Sequence, residues 1–313
     1  MKSLADTINK CIEKYKILLT PGSIILGLVL NERINMAQIF VPYLFGYMTF
    51  SGTLSITFMD LRKALQPKPL VLYLFLSHMI FPLVVYTFST IVFGFGSDYT
   101  IGFVLIYATP CAIVSCVWAG MYNNDKPLSV AVVIIDTLLA FALTPLTVRV
   151  FCGASIEVDM TGMIFNILVM VVIPAILGMS VSVMVKQRIQ TVLPYTKLIA
   201  KLVLVFVVMT SVSKVAKQLM LQASWTYVSI ALVSLVMFWV SYSVAIITAK
   251  RFLRNHKPQV VSLAFACGMK NVSMGLVLAA AFFPPLVSIP IIITMTIQDF
   301  AGSAAGTYLS KKE

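Results

Sequence analysis

Charged side chains are scarce in this chain: they make up 11% of its 313 residues, and Asp and Glu together number 11. A soluble domain of ordinary composition carries about a quarter charged residues. With 60% hydrophobic residues and a mean hydropathy of +0.98, the sequence excludes a soluble globular domain and indicates a polytopic helical membrane protein. Short alternating strands, the mark of a membrane β-barrel, are missing, and apolar runs of roughly 18–25 residues fill the chain instead. Too little remains between those runs for a separate soluble domain, so residues 1–313 read as one all-α transmembrane domain. Metal-ligand clusters, nucleophile motifs and phosphate-binding glycine loops are missing too, so the sequence reads as no enzyme and calls for no cofactor and no metal. The five cysteines, Cys11, Cys111, Cys116, Cys152 and Cys267, follow neither disulfide nor zinc spacing and read as reduced thiols. The charged stretch Met1–Lys16 lacks an apolar core with a cleavage site, and reads as a short surface helix and not as a signal peptide.

The formal charge of +12 does not point to nucleic acid, because the basic residues are strung along loops and ends and gather on no single face. About ten membrane spans can be drawn: Ile17–Leu30, Ile39–Phe58, Leu70–Phe93, Thr100–Tyr122, Leu128–Val150, Met163–Met184, Leu198–Val212, Trp225–Ala249, Val260–Phe283 and Leu286–Leu309. Arg62, Lys63 and Lys68, then Lys126, then Lys186 and Arg188, then Lys250, Arg251, Arg254 and Lys257 fall in alternate connections, which places those loops in the cytoplasm. Lys2, Lys10, Lys14 and Lys16 put the N-terminus on the same side and Lys311 and Lys312 the C-terminus, in a multi-pass protein of the cell membrane. Lys214 and Lys217 break the pattern on the expected outer side.

One span stands apart. Ser262–Gly275 places Lys270 near the centre of an apolar segment, beside Cys267-Gly268 and Asn271, where a helix can open. A charge at that depth is tolerated where it faces protein or water. Carbonyl and amide groups freed by an opened helix must be satisfied by protein, water, ion or substrate, which is how transport sites are built. The plainer reading is a lysine that pairs with a buried carboxylate and holds two helices together. Thr109-Pro110-Cys111 interrupts the fourth span as Lys270 interrupts the ninth, so the chain folds into two five-span halves, roughly 17–152 and 160–309, of opposite orientation. The expected breaks are Pro110–Cys116 and Cys267–Asn271, meeting within contact distance. Pro82, Pro145 and Pro290 are expected to kink the helices around the crossing.

Four further groups bear on charge. Asp136 and Asp299 lie mid-span in the fifth and tenth spans, and one of them is expected to neutralise Lys270 while the other carries a proton. His78 lies within the third span and could titrate near neutral pH, although a lone histidine at that depth is more often a packing residue. His256 belongs to a basic loop.

At these residues the chain resembles the bile acid:sodium symporter family, whose members have ten spans in two inverted repeats with two broken helices crossing near the membrane centre. The resemblance is carried by Leu44–Leu54, Asp60–Lys63, Pro67–Pro69, Pro110–Trp118, Leu128–Val132, Leu143–Pro145, Gly268–Asn271 and Ala279–Pro285. In sodium-coupled members a Ser-Asn pair, hydroxyls on the next helix, a glutamate and two glutamines hold the ions. Here those positions read Ser115-Cys116, Ser129 and Val133, Ala266, Lys270 and Ser77, with Cys267 and Met269 completing the set. Sodium needs hard oxygen ligands, and Ala266, Val133 and Cys116 supply no side-chain oxygen. The resemblance therefore implies a sodium-independent transporter in which the Lys270 ammonium stands where an ion would sit.

The resulting expectation is alternating-access transport of a small organic anion, a carboxylate or sulfonate, by a protein favoured as a monomer in the lipid bilayer. Helix N-termini and Lys270 attract the anion, and Ser115, Cys116, Asn271, Ser273 and Gln298 line the site. The alternative is arsenite efflux. Pro110-Cys111, Val117-Trp118 and Asp136 also resemble the arsenite permeases of the same superfamily, in which a thiol such as that of Cys111 would take the metalloid, although Met274 stands where those permeases carry a glutamate. A receptor that binds without transport is the third class.

Overall fold

The computed structural model describes residue 9 and residues 16–185, 188–221, 224–254 and 256–310. Most of the surface helix expected over Met1–Lys16 lies outside these, as do Cys11, Lys2, Lys10, Lys14, Lys186, Lys311 and Lys312. The described residues are mostly helical, with no strand among them; a 3-10 stretch, Asn31–Phe40, links the first two of the α-helices, which are α1 Lys16–Leu30, α2 Val41–Thr53, α3 Phe58–Ala64, α4 Pro67–Phe75, α5 Phe81–Phe93, α6 Asp98–Ala108, α7 Val114–Gly120, α8 Lys126–Cys152, α9 Met160–Ile167, α10 Ile173–Val185, α11 Ile189–Ser213, α12 Ala216–Leu221, α13 Ser224–Phe252, α14 Lys257–Gly268, α15 Val272–Phe282 and α16 Ser288–Ser310. Six helical stretches, Pro67–Phe93, Lys126–Cys152, Met160–Val185, Ile189–Ser213, Trp225–Phe252 and Pro285–Ser310, are long and apolar enough to cross a membrane. Leu18–Leu30, Asp98–Ala108 and Val272–Phe282 are shorter apolar helices. An all-α polytopic membrane protein is what this composition dictates, because a bilayer core leaves a helix no other partner for its backbone than itself.

Helix starts follow local chemistry. Asp125 caps α8 by accepting from Leu128 N at 3.0 Å, and Thr57 and Asp60 form a reciprocal capping box on α3. Two helices widen for one π turn, Leu76–Ile80 between α4 and α5 and Leu168–Val172 between α9 and α10, each just before an X-Pro pair. Proline supplies no N–H, so a carbonyl one turn earlier loses its helical donor. Beside Pro174, the Met170 carbonyl accepts instead from Thr49 Oγ1 of α2 at 3.1 Å. Not every proline bends its helix. Pro290 falls in the first turn of α16, where the missing N–H costs no bond, so the kink expected there is replaced by an ordinary helix start.

The helices pack as two groups. In one, α1, α2, α10 and α11 lie against one another; in the other, α5 to α8 and α13 to α16 do. The groups meet where α9 lies along α8 and where α11 reaches α15. At the latter contact the Lys214 ammonium, at the end of α11, donates to the Ala280 carbonyl in the last turn of α15. A cation there complements the helix dipole, which gives a structural reason for a lysine that the charge pattern of the loops does not explain. Close approach of α10 to α2 needs Gly178, where a Cβ would lie 2.6 Å from the Phe50 carbonyl oxygen and overlap Thr53 Oγ1. Overpacking of this kind costs about 1–3 kcal/mol. Gly178→Val is therefore expected to lower the melting temperature of the detergent-solubilised protein by roughly 2–10 °C; an unchanged midpoint would show that α10 can slide free of α2.

Candidate functional site

Two helices are interrupted in mid-course. The first break runs from Thr109 to Ile113 between α6 and α7, the second from Met269 to Asn271 between α14 and α15. Both are shorter than the sequence suggests: Ser115 and Cys116 already belong to α7, and Cys267 and Gly268 still belong to α14. The breaks cross as a two-residue antiparallel bridge between Cys111 and Lys270. Ala112 N donates to Met269 O at 2.9 Å, and Asn271 N donates to Pro110 O at 2.8 Å. Each break thus meets the backbone demand of the other, which is what permits non-helical chain at this depth.

Side chains supply the rest. Gln298 of α16 accepts from Lys270 N at 3.1 Å, Asp136 of α8 accepts from Cys111 N at 2.7 Å, and Thr144 Oγ1 donates to Ala108 O at 2.9 Å. The Lys270 side chain is 1% exposed and turns toward the third span, where Nζ donates to Ser77 Oγ and, at 3.4 Å, to Thr109 O. Ser77 Oγ donates onward to Tyr73 Oη at 3.1 Å, and Tyr73 donates to Asp136 Oδ2. The other carboxylate oxygen lies 2.6 Å from His78 Nε2, a contact that is an ion pair when the imidazole is protonated.

Lys270 and Asp136 are therefore joined through two hydroxyls and not by a direct contact among the described bonds. The π turn explains this. Leu76–Ile80 carries one residue more per turn, so Ser77 and His78 both face inward and take the places nearest Lys270 and Asp136. Asp299, the other carboxylate expected to serve Lys270, instead accepts from Trp118 Nε1 at 3.3 Å.

Of the positions matched to sodium ligands, Ser77 and Lys270 bond each other, and Val133, Ala266, Cys267 and Met269 are buried. Ser129 belongs to a separate cluster, donating to Ser262 Oγ at 2.9 Å and accepting from Asn124 Nδ2 at 2.7 Å, where Asp125 and Gln66 also meet. Among the residues expected at the substrate site, Ser115 is buried and Gln298 is engaged with Lys270 N, whereas Cys116, Asn271 and Ser273 are partly exposed. Asn271 Oδ1 caps α15 through Met274 N at 3.2 Å. Ile113, in the first break, reaches across to Gly52 of α2, where a Cβ would lie 2.6 Å from its Cδ1. The face of the crossing that carries Ile113 therefore looks toward the other helix group. Tyr73 is the residue that sequence reasoning passed over. A phenol four positions before a serine on one face of an apolar span was its available signal.

Residues 42–222 match the model of the Sodium Bile acid symporter family. The uncharacterized protein YbaS of Bacillus subtilis (strain 168) is 34% identical over 302 residues, covering 95% of this chain and 97% of that protein. The uncharacterized sodium-dependent transporter YocS of the same organism is 25% identical over 92% of this chain and 88% of its own length. The arsenical-resistance protein Acr3 of Alkaliphilus metalliredigens (strain QYMF) is 25% identical over 53% of each chain.

Proposed function

This chain belongs to the Sodium Bile acid symporter family, and from that premise we propose that it is a sodium-independent secondary transporter of a small organic anion. Its ten spans form two inverted repeats, roughly 17–152 and 160–309, in a cell membrane, with both termini cytoplasmic. The protein works as a monomer. Alternating access comes from movement of the group holding both breaks against the group holding α2 and α11.

One observation carries the sodium-independence: the Lys270 ammonium rests on Ser77 Oγ and Thr109 O, a hydroxyl and a carbonyl of the kind that would coordinate an ion. A positive charge covalently tied there performs the ion's electrostatic task without being released. Two cations about 4 Å apart repel by about 4 kcal/mol at an effective dielectric near 20, roughly three orders of magnitude in binding. Lys270 is buried and turned toward Ser77, so it acts on the substrate through the charge of the crossing and not as a direct ligand. Direct contacts fall to the partly exposed N-terminus of α15, with Asn271 and Ser273, and to Cys116. Backbone N–H groups at a helix start suit a carboxylate or sulfonate. Asp136, His78, Tyr73 and Ser77 balance the lysine and fix both breaks.

The test is uptake of labelled organic anions into proteoliposomes with choline in place of sodium. Uptake at an unchanged rate is expected; uptake abolished by choline and restored by sodium in a saturable manner would overturn the reading. Arsenite efflux is the weaker alternative, because Cys111, at the crossing itself, is only 1% exposed.

A further inference from the structure

Where α13 lies beside α16, aromatic and small residues divide the joint between them. The Tyr242 ring of α13 is packed on Gly268 of α14, and its hydroxyl lies 3.5 Å from where a Cβ of Gly302 would stand on α16, so the tyrosine fills the inner side of the joint. The other side is left to Ala301, Ala304 and Ala305, which are too short to close it. What remains is an apolar groove of about 290 Å³ between residues 235–247 of α13 and residues 300–308 of α16. Trp239 and Phe300 line it and are still 66% and 60% exposed, so the groove is open to its surroundings.

Length, depth and charge each say what fills it. Residues 235–247 cover about 18 Å of helix, close to half of a hydrocarbon core of about 30 Å, which is one leaflet. The stretch Trp225–Phe252 is long enough to cross a membrane, with exposed Trp225 at its start and Lys250 and Arg251 in its last turn. Those ends are about 38 Å apart along the helix, so the tryptophan and the cations mark the two interfaces and the groove begins directly beneath the cations. Lys250 continues the groove face itself, since Trp239, Ser243, Ile246 and Lys250 follow at spacings of three and four. Arg251 and Arg254 are exposed beside it, and in the sequence Lys311 and Lys312 follow the end of α16. No acid answers them. The helix α13 has none, and Asp299, the one acid of α16, accepts from Trp118 and stands about 16 Å of helix before Ser310. Among the described residues Lys250, Arg251 and Arg254 form no ion pair. A second copy seated here by a two-fold axis along the membrane normal would set these cations against their own counterparts, whereas an anionic headgroup neutralises them.

We propose that the groove is a binding site for one anionic phospholipid, with an acyl chain between α13 and α16 and the phosphate at Lys250 and Arg251. Any chain of the bilayer fits the apolar part, and the cations select the headgroup. One cation near the membrane surface favours an anionic lipid by about fivefold, and two by about thirtyfold. The site depends neither on the transport reading nor on which side of the membrane the cations face.

Trp239 reports on its own groove. The protein is reconstituted in phosphatidylcholine vesicles that carry a small share of phosphatidylglycerol brominated in mid-chain, or the same share of brominated phosphatidylcholine. The quenching that belongs to Trp239 is the difference between the parent chain and Trp239→Phe. Half-maximal quenching is expected at a share of brominated phosphatidylglycerol at least about tenfold below that of brominated phosphatidylcholine. Lys250→Gln combined with Arg251→Gln should bring the two lipids level. Ala304→Leu, which fills the groove from an exposed position and keeps both cations, should do the same. Equal quenching of the parent by both lipids would overturn the site. So would a preference that survives Ala304→Leu, because the cations would then attract anionic lipid without the groove; Ala305→Leu decides the same point if Ala304→Leu fails to fold. Quenching of Trp239 by neither lipid would show the groove covered by protein, a second copy included, and would overturn the proposal as well.

Discussion

Asp136→Ala is expected to leave little folded protein and no measurable flux. Its carboxylate is buried and holds three groups at once: His78 Nε2 at 2.6 Å, the Tyr73 hydroxyl, and Cys111 N at 2.7 Å in the first break. Alanine strands all of them. The Cys111 amide loses its acceptor at a depth where water cannot replace it, and Lys270 loses the negative charge at the other end of the hydroxyl chain. Removing one partner of a buried ion pair costs about 3–5 kcal/mol, and an unsatisfied buried donor adds about 1–3 kcal/mol. That sum is comparable with the whole stability of an ordinary domain. Asp136→Asn, which retains an acceptor for Cys111 N, should fold but lose charge balance. Adding Lys270→Met to it should recover thermal stability, because the double variant has neither charge. Melting curves in detergent of the parent, Asp136→Asn, Lys270→Met and the double variant decide this, and additive effects of the two substitutions would show that the charges do not communicate through Ser77 and Tyr73.

Lys270→Gln should reduce anion uptake by at least about a hundredfold while the protein still folds. The amide can keep a bond to Ser77 but brings no charge to the crossing, so an anion approaching α15 loses the attraction that the ammonium supplied. At about 6 Å and an effective dielectric near 20 that attraction amounts to about 3 kcal/mol, or roughly two orders of magnitude. The same substitution opens the position to sodium. With Ala266→Glu added, the crossing regains an anionic oxygen and a neutral one, and uptake should return only in the presence of sodium. The measurement is initial uptake in sodium and in choline for the parent, single and double variants. Full activity of Lys270→Gln in choline would show that the ammonium has no part in transport and is only a structural tie.

Much of this was legible in the sequence, and the parts that were not share a cause. Hydropathy and proline placed the two interruptions and their crossing, because a lysine and a Pro-Cys pair in mid-span leave few other solutions. Partner choice was less accessible. Lys270 has no carboxylate three or four residues away, so its neighbours depend on how α4, α8 and α14 rotate against one another. A π turn that no residue type announces then sets Ser77 and His78 inward together. Break lengths were overstated for a similar reason. Ser115, Cys116, Cys267 and Gly268 are weak helix formers singly, yet tertiary packing holds all four in helix. Gly268 is there because the Tyr242 ring occupies the space a Cβ would need, a demand set by a helix distant in sequence.

The Lys214 contact has a consequence for biogenesis. Its acceptor, the Ala280 carbonyl, lies 66 residues further along the chain. During synthesis the lysine must therefore emerge, cross to the outer side in the proposed orientation and wait there without its counterpart while α13 and α14 are still being made. Positive charge in a short outer loop opposes that orientation in the meantime. In the proposed orientation the end of α11 would thus enter the membrane against a bias that its bond to α15 offsets once α15 has been made.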